Sequence, residues 1–323
     1  MNPVATAIPT GSELPATTPA VTPATARGRG AVSRVLRAAI KTRRGKVGAF
    51  LALFVLAIAF LGPLIPTTST TGFVAPPFTK PFVGGAGLLG SDVLGRSVLA
   101  RTLHGGWLIM LYAIGATALT VFLGAAAGIV AAYRRGWAEN VTMRGVDVVL
   151  AMPQLVFVLL LLSVIGPKWW LIILAVGLSQ APQTARVMHA ASQNVAERDF
   201  VKAVAVWGVP PRKVMRRHVV PNLITPLMVE AGLRLSYSII LISGLSFLGL
   251  GTQPPNPDWG VMVNENRLGL SSNFWGVLAP AILLALLAVG TNTFADAIAR
   301  ANLGEQRGEE AVVASALAAV KED

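Results

Sequence analysis

Apolar residues in this chain collect in six runs, at 47–66, 107–133, 146–166, 168–189, 223–250 and 276–298. Each is about 20 residues or longer, and at roughly 1.5 Å of rise per residue such a helix crosses a hydrocarbon core of about 30 Å. The pattern predicts an all-α membrane protein with six transmembrane helices. The polar interruption at 190–222 has a pattern of its own. Apolar residues at 200, 201, 203, 204 and 207 recur at three- and four-residue spacing, which predicts a short amphipathic helix over 199–207. Gly208, Pro210 and Pro211 break it, and a second short helix over 212–220, basic on one face, is expected to stop at Pro221.

Residues 1–26, rich in Pro, Thr and Ala, show no apolar period and cannot repay the entropy of ordering, so they are read as disordered. Arg34, Arg37, Lys41, Arg43 and Arg44 then carry the spacing of an interfacial helix against anionic headgroups, although a plain barrier to translocation explains them equally well. About 46 residues precede the first apolar run, which argues against a cleaved signal peptide. The chain thus divides into a cytoplasmic N-terminal segment (1–46), a membrane domain (47–304) holding the hairpin at 190–222, and a cytoplasmic tail (305–323).

Composition agrees with the pattern. Of the 323 residues 54% are hydrophobic and only 13% charged, with a mean hydropathy of +0.63, so a soluble protein would be short of polar surface. The net charge of +12 reads as topology rather than as an affinity for nucleic acid. With the N-terminus inside, 21 of the 27 Lys and Arg lie in 27–46, 134–144, 186–217 and 300–323. Only Lys80, Arg96, Arg101, Lys168 and Arg267 fall on the other side. The excess of basic residues places both termini in the cytoplasm.

Little in the chain suggests chemistry. The absence of Cys excludes disulfides, thiolate metal sites and a cysteine nucleophile, and His104, His189 and His218 have no metal-ligand spacing. No catalytic or metal residue is assigned. The Gly-rich VGGAGLLG at 83–90 lacks the Gly-Lys-Ser/Thr of a phosphate-binding loop. Within the spans, Glu230 and Arg234 stand four apart and can pair on one helix face, either lining a path or pinning helices, and Asp296 and Arg300 repeat the spacing. Gly124 and Gly128 form a small-residue step suited to helix contact. Pro153 should kink the third span, for gating or for shape alone. Pro153, Glu230, Arg234, Phe247 and Leu248 are the candidates for a substrate path or gate.

The 199–222 stretch resembles the coupling loop of ABC-importer permeases, written in that family as Glu-Ala-Ala, three residues, Gly, nine residues, Ile-x-Leu-Pro. Here Lys202-Ala203-Val204 precede Gly208, and His218-Val219-Val220-Pro221 close the motif, so the Gly and Pro spacing holds while a lysine replaces the acid. LGSDVLGRSVLARTLHGG (89–106), MRGVDVVLAMPQLVFVLLLLSVIG (143–166) and LSFLGLGTQPPNPDWG (245–260) are similar to the second permease of dipeptide and oligopeptide importers. The resemblance covers roughly residues 47–304.

That resemblance implies the type I ABC importer permease fold in a bacterial inner membrane, and a heterodimer with a homologous permease. It implies two cytoplasmic ATP-binding subunits that hold ATP and Mg, an extracytoplasmic substrate-binding protein, no cofactor in this chain and no nucleic acid partner. It assigns coupling to the ATPase to Arg198, Asp199, Phe200, Val201, Lys202, Ala203, Trp207, Gly208, Val209, Pro210, Arg212, His218, Pro221 and Asn222. The implied cargo is a dipeptide or oligopeptide, with nickel, glutathione or haem carried by relatives that share these motifs. An ion-coupled transporter would instead show intramembrane acids and interrupted helices in two related halves, and a channel a selectivity ring.

Overall fold

The computed structural model describes residues 28–134 and 136–322, so the stretch at 1–26 expected to be disordered lies outside the described residues. The architecture is a helical bundle. Helix α1 (Gly28–Lys41) buries Val35 and Ala39 against Ala297 and Ile298 while Arg37 and Lys41 stay exposed. Thr42 then caps α2 (Arg43–Leu61), its Oγ1 accepting from the Gly45 amide at 3.0 Å and donating to the Ala39 carbonyl at 2.7 Å. This cap turns the chain from the amphipathic helix into the first apolar one.

A long connection leads to α3 (Val98–His104) and α4 (Trp107–Arg134), followed by α5 (Trp137–Leu150) and α6 (Gln154–Ile165). Helix α7 (Trp169–Ala196) returns to the hairpin of α8 (Asp199–Val206) and α9 (Pro211–Val214), and α10 (Ile224–Phe247) crosses again. Short α11 (Trp259–Asn266) precedes α12 (Trp275–Glu322), whose backbone stays helical through the predicted tail.

Four helical stretches are long and apolar enough to span, namely Arg43–Leu64, Val98–Arg134, Pro211–Phe247 and Trp275–Ala301, and α5 with α6 makes a fifth if the bent pair counts as one. Six were expected. The difference lies in α7, which coincides with the predicted run at 168–189 and is about 42 Å long by its residue count. Ser179, Gln180, Gln183, Thr184 and Arg186 cluster about its middle. These polar residues sit against other helices, so apolarity stops being the criterion for burial there.

Two other expectations are corrected. The run at 146–166 is not one kinked helix: α5 and α6 meet at 79° across 151–153. Pro153 begins α6 as its N-cap and has no amide hydrogen to continue α5, so the kink becomes a full break. At Pro221 the reverse holds. The chain does not stop there but runs from α9 through a π-turn (Met215–Val219) and a 3-10 turn (Val220–Leu223) into α10. The widened turn lets the Val220 amide reach the Met215 carbonyl, and Asn222 Nδ2 donates to the His218 carbonyl at 2.6 Å, so the ring is absorbed without exposing backbone.

Helices α4 and α7 form the centre of the bundle. A Cβ placed on Gly124 would lie 2.6 Å from the Ala181 carbonyl oxygen, and one on Gly128 would lie 2.8 Å from the His189 amide nitrogen. The small-residue step is therefore a helix contact, and Thr120 Oγ1 adds a 3.1 Å hydrogen bond to the Gly177 carbonyl. By contrast, no ion pair joins Asp296 to Arg300, both of which are exposed. Gly128→Leu should force α4 from α7 and cost about 1–3 kcal/mol or more, read as a lower melting temperature and loss of the monodisperse peak in detergent.

Candidate functional site: hairpin, intramembrane seam and opposite cap

Three polar constructions interrupt the apolar bundle. At one end, α8 to α9 fold back on the bundle. Val201, Val214, Val219 and Leu223 are buried with Met188 and Val195 of α7 and Ala125 of α4, so one side of the hairpin is clamped to the membrane helices. Its other side is bare: Val206 is 84% exposed and Trp207 82%. Gly208 turns the chain with φ +75, a left-handed conformation that ends α8 and that other residues adopt only with strain. Arg198, Asp199, Lys202, Ala203, Pro210 and Arg212 are exposed, Val209, His218, Pro221 and Asn222 half-buried, and the Phe200 side chain lies outside the described residues. The apolar residues predicted for one helix face thus divide, with Val201 and Val204 turned inward and Ala203 and Trp207 exposed.

The second construction crosses the middle of the bundle. Glu230 and Arg234 of α10 are buried as an ion pair with Nε 2.8 Å from Oε1, an electrostatic contact in which the Nε hydrogen makes no hydrogen bond. Thr184 Oγ1 donates to Glu230 Oε1 at 3.0 Å, Arg234 Nη1 donates to Gln183 Oε1, and the guanidinium lies 5.2 Å from the Tyr237 ring centre. Gln180 Nε2 donates to Ser238 Oγ at 3.0 Å, and Gln154 Nε2 to Ser179 Oγ at 3.2 Å. Counting about 1.5 Å per residue from the helix ends puts Gln183 about 21 Å along α7 and Arg234 about 15 Å along α10, close to mid-membrane on both.

Beside this seam, the break before Pro153 opens a cavity of about 240 Å³ whose walls include Met152, Pro153, Gln154, Phe157, Ser179 and Gln183. Gln183 and Tyr237 are exposed, whereas the exposed mid-helix positions of α2 are Phe50, Leu53, Phe54 and Phe60. An amide facing lipid without partners costs several kcal/mol. The α2 face suits lipid, and the α7–α10 face at Gln183 does not.

The third construction caps the far end. Asp92 Oδ2 receives Arg96 Nε at 2.7 Å and Arg101 Nη1 at 2.5 Å, and Glu265 Oε2 receives Arg96 Nη2 at 2.9 Å and Arg101 Nη1 at 2.6 Å. The Asp92 side chain is 0% exposed and that of Glu265 23%. These four charges, two of each sign, bind the loop before α3 to α11. Trp259, fully buried, reinforces the join by donating Nε1–H to the Thr102 carbonyl at 2.7 Å. Asp258 caps α11 by accepting from the Gly260 and Val261 amides at 2.8 and 3.1 Å. Burial pushes the Asp258 carboxyl above its usual range, with the amides of Val261 and Gly260 and the Ser246 hydroxyl pulling it partly back.

Residues 124–303 match the family described as binding-protein-dependent transport system inner membrane component. The chain belongs to this family. A putative peptide permease protein of Brucella ovis is 37% identical over 204 residues, 62% of this chain and 68% of the relative. A putative peptide transport system permease protein of Brucella suis biovar 1 is 29% identical over 276 residues, 84% and 91% of the two chains, and one of Brucella abortus biovar 1 aligns with the same figures. The protein is therefore a multi-pass component of a bacterial inner membrane, within an ABC-type importer.

Within this transporter component, the structure brings Pro153 and Arg234 to a common neighbour, Gln183, and seats Glu230 beside Thr184. Phe247 and Leu248, the other candidates for the path, lie exposed at the far end of α10, apart from the seam. Sequence reasoning missed the glutamines, because a lone Gln in an apolar run has no partner visible in its own helix. It also missed the Asp92–Arg96–Arg101–Glu265 cluster, for which the four-residue spacing of Asp92 and Arg96 was the available signal.

Asp92→Asn leaves two guanidinium groups facing one carboxylate and should cost about 3–5 kcal/mol; Glu265→Gln, at a wetter position, should cost less in the same thermal melts. Asp258 has a raised pKa in the folded state, so its contribution to stability is full below the unfolded carboxylate value of about 4 and is lost as pH rises through the folded value. Asp258→Asn keeps an N-cap acceptor. Its melting temperature should therefore lack this decline above about pH 4, in a pH series of melts against the wild type.

Proposed function

We infer that this chain is one of two homologous transmembrane subunits in an ATP-driven importer, and that the importer carries short peptides into the cytoplasm. The observation that carries the reading is the bare apolar tip at Val206 and Trp207, presented by a hairpin whose opposite face is locked into the bundle. An exposed indole on a rigid support is what a partner's groove takes up. Motion of that groove reaches α4 and α7 through Val201, Val214 and Val219, and reaches α10 through the continuous helical path past Pro221. ATP and Mg²⁺ belong to the two cytoplasmic partner subunits in this reading, since VGGAGLLG has no phosphate-binding Lys.

Six crossings with both termini cytoplasmic are the topology we propose, counting α7 as a buried span and α5 with α6 as a broken one. The concentration of Lys and Arg at the hairpin end supports it. The cap at the opposite end then faces an extracytoplasmic protein that delivers cargo. Peptide as cargo is supported by the printed names of the relatives.

The test is copurification of the ATPase subunits with the tagged, detergent-solubilised chain. Trp207→Ala removes the anchor and should weaken the association by about 2 kcal/mol or more, roughly thirtyfold; Gly208→Pro should abolish it, with the elution profile of the chain unchanged. Undiminished ATPase binding in both variants, or peptide uptake by vesicles without any ATPase, would overturn the reading.

A further inference from the structure

The cavity at the break between α5 and α6 lies at the membrane depth of Gln183 and Arg234, on the face that lipid does not suit. We propose that this cavity is a peptide-binding way-station on the translocation path, holding cargo by its main-chain amides; this rests on the peptide-importer reading above.

The chemistry of the walls selects the ligand class. Gln183, its carbonyl held by Arg234, presents an amide NH₂, and Gln154, its NH₂ on Ser179, presents a carbonyl, so together they offer the donor and acceptor that a peptide main chain takes whatever its side chains are. Arg234 is buried outside the lining and bonds the Gln183 carbonyl, which fixes that side chain in the wall. Glu230 balances the charge of that guanidinium, so the cavity itself is lined by neutral groups. Met152 and Phe157 supply apolar contact that varied side chains can share, and Met is adaptable in such a role.

A divalent metal ion fits poorly. Such ions take imidazoles, thiolates or several carboxylates, and among the described residues no three His, Asp or Glu side chains converge. The cavity's volume, about 240 Å³, falls below the roughly 300–1,000 Å³ of ordinary ligand sites. The shortfall and the open side of the cavity point to one half of a site, the other half belonging to the facing permease subunit. Gln183 is the specificity-determining residue of this half, since it alone touches both the cavity and the guanidinium.

The chain has no cysteine, so an introduced one is the sole target of a thiol reagent on this subunit. In the complete reconstituted importer, Gln183→Cys should react with a membrane-impermeant charged methanethiosulfonate. Leu53→Cys on the lipid face should react at least tenfold more slowly. A second measurement uses wild-type importer and a dipeptide bearing a diazirine side chain. Irradiation during ATP-driven uptake should attach it to residues 149–157 or 179–183 of this chain, and excess alanyl-alanine should suppress the adduct at least tenfold.

Peptide uptake without adducts in those segments, or a Gln183→Cys variant inert in every nucleotide state, would overturn the way-station while leaving the importer intact. A complete importer that takes up no peptide would overturn both.

Discussion

A polar group inside a bilayer must find its partner within the protein, and most of this structure follows from how that requirement is met. Gly124 and Gly128 let α4 approach α7 closely enough for Thr120 to reach a backbone carbonyl, and Ser179, Gln180 and Thr184 of α7 are buried along the same stretch. There Thr184 and Gln183 meet the Glu230–Arg234 pair of α10. Weakening the α4–α7 contact would leave those groups facing hydrocarbon, so packing and polar satisfaction are one constraint here rather than two.

Proline illustrates how context decides a local outcome. Pro153 ends one helix and starts another at 79°, whereas Pro221 is passed by a widened turn and a side-chain hydrogen bond from Asn222. Pro182 and Pro280 lie inside helices that continue. The break at Pro153 lies beside the cavity, whereas past Pro221 the chain stays helical into α10, the helix that holds Arg234. The two ends of the bundle differ in the same spirit. Three buried charges, the half-buried Glu265 and the Trp259 indole close one end, while the other leaves Trp207 open to whatever covers it.

Stiffness links the hairpin to the seam. Val201, Val219 and Leu223 are buried in one cluster with Met188, which lies four residues beyond Thr184 on the same helix. A displacement of the hairpin is therefore transmitted to α7 and α10 together, because packed interiors deform little and move as bodies. The seam lies where those two helices touch, so relative sliding there alters the distance between Gln183 and Arg234.

Length and apolar period alone determined where α2, α4, α10 and the first part of α12 lie, and the three- and four-residue spacing determined α8, because in those segments each residue's environment depends on its own helix face. The turn at Gly208 was equally legible, since a Gly-Val-Pro-Pro string allows few backbone paths. Tertiary structure decided what depends on a second segment: that Val201 faces inward while Trp207 does not, that Gln183 serves Arg234, and that Glu265 completes a cluster begun more than 160 residues earlier. Periodicity is a property of one helix, whereas charge pairing and cavity walls belong to contacts between helices, and no single stretch of chain carries them.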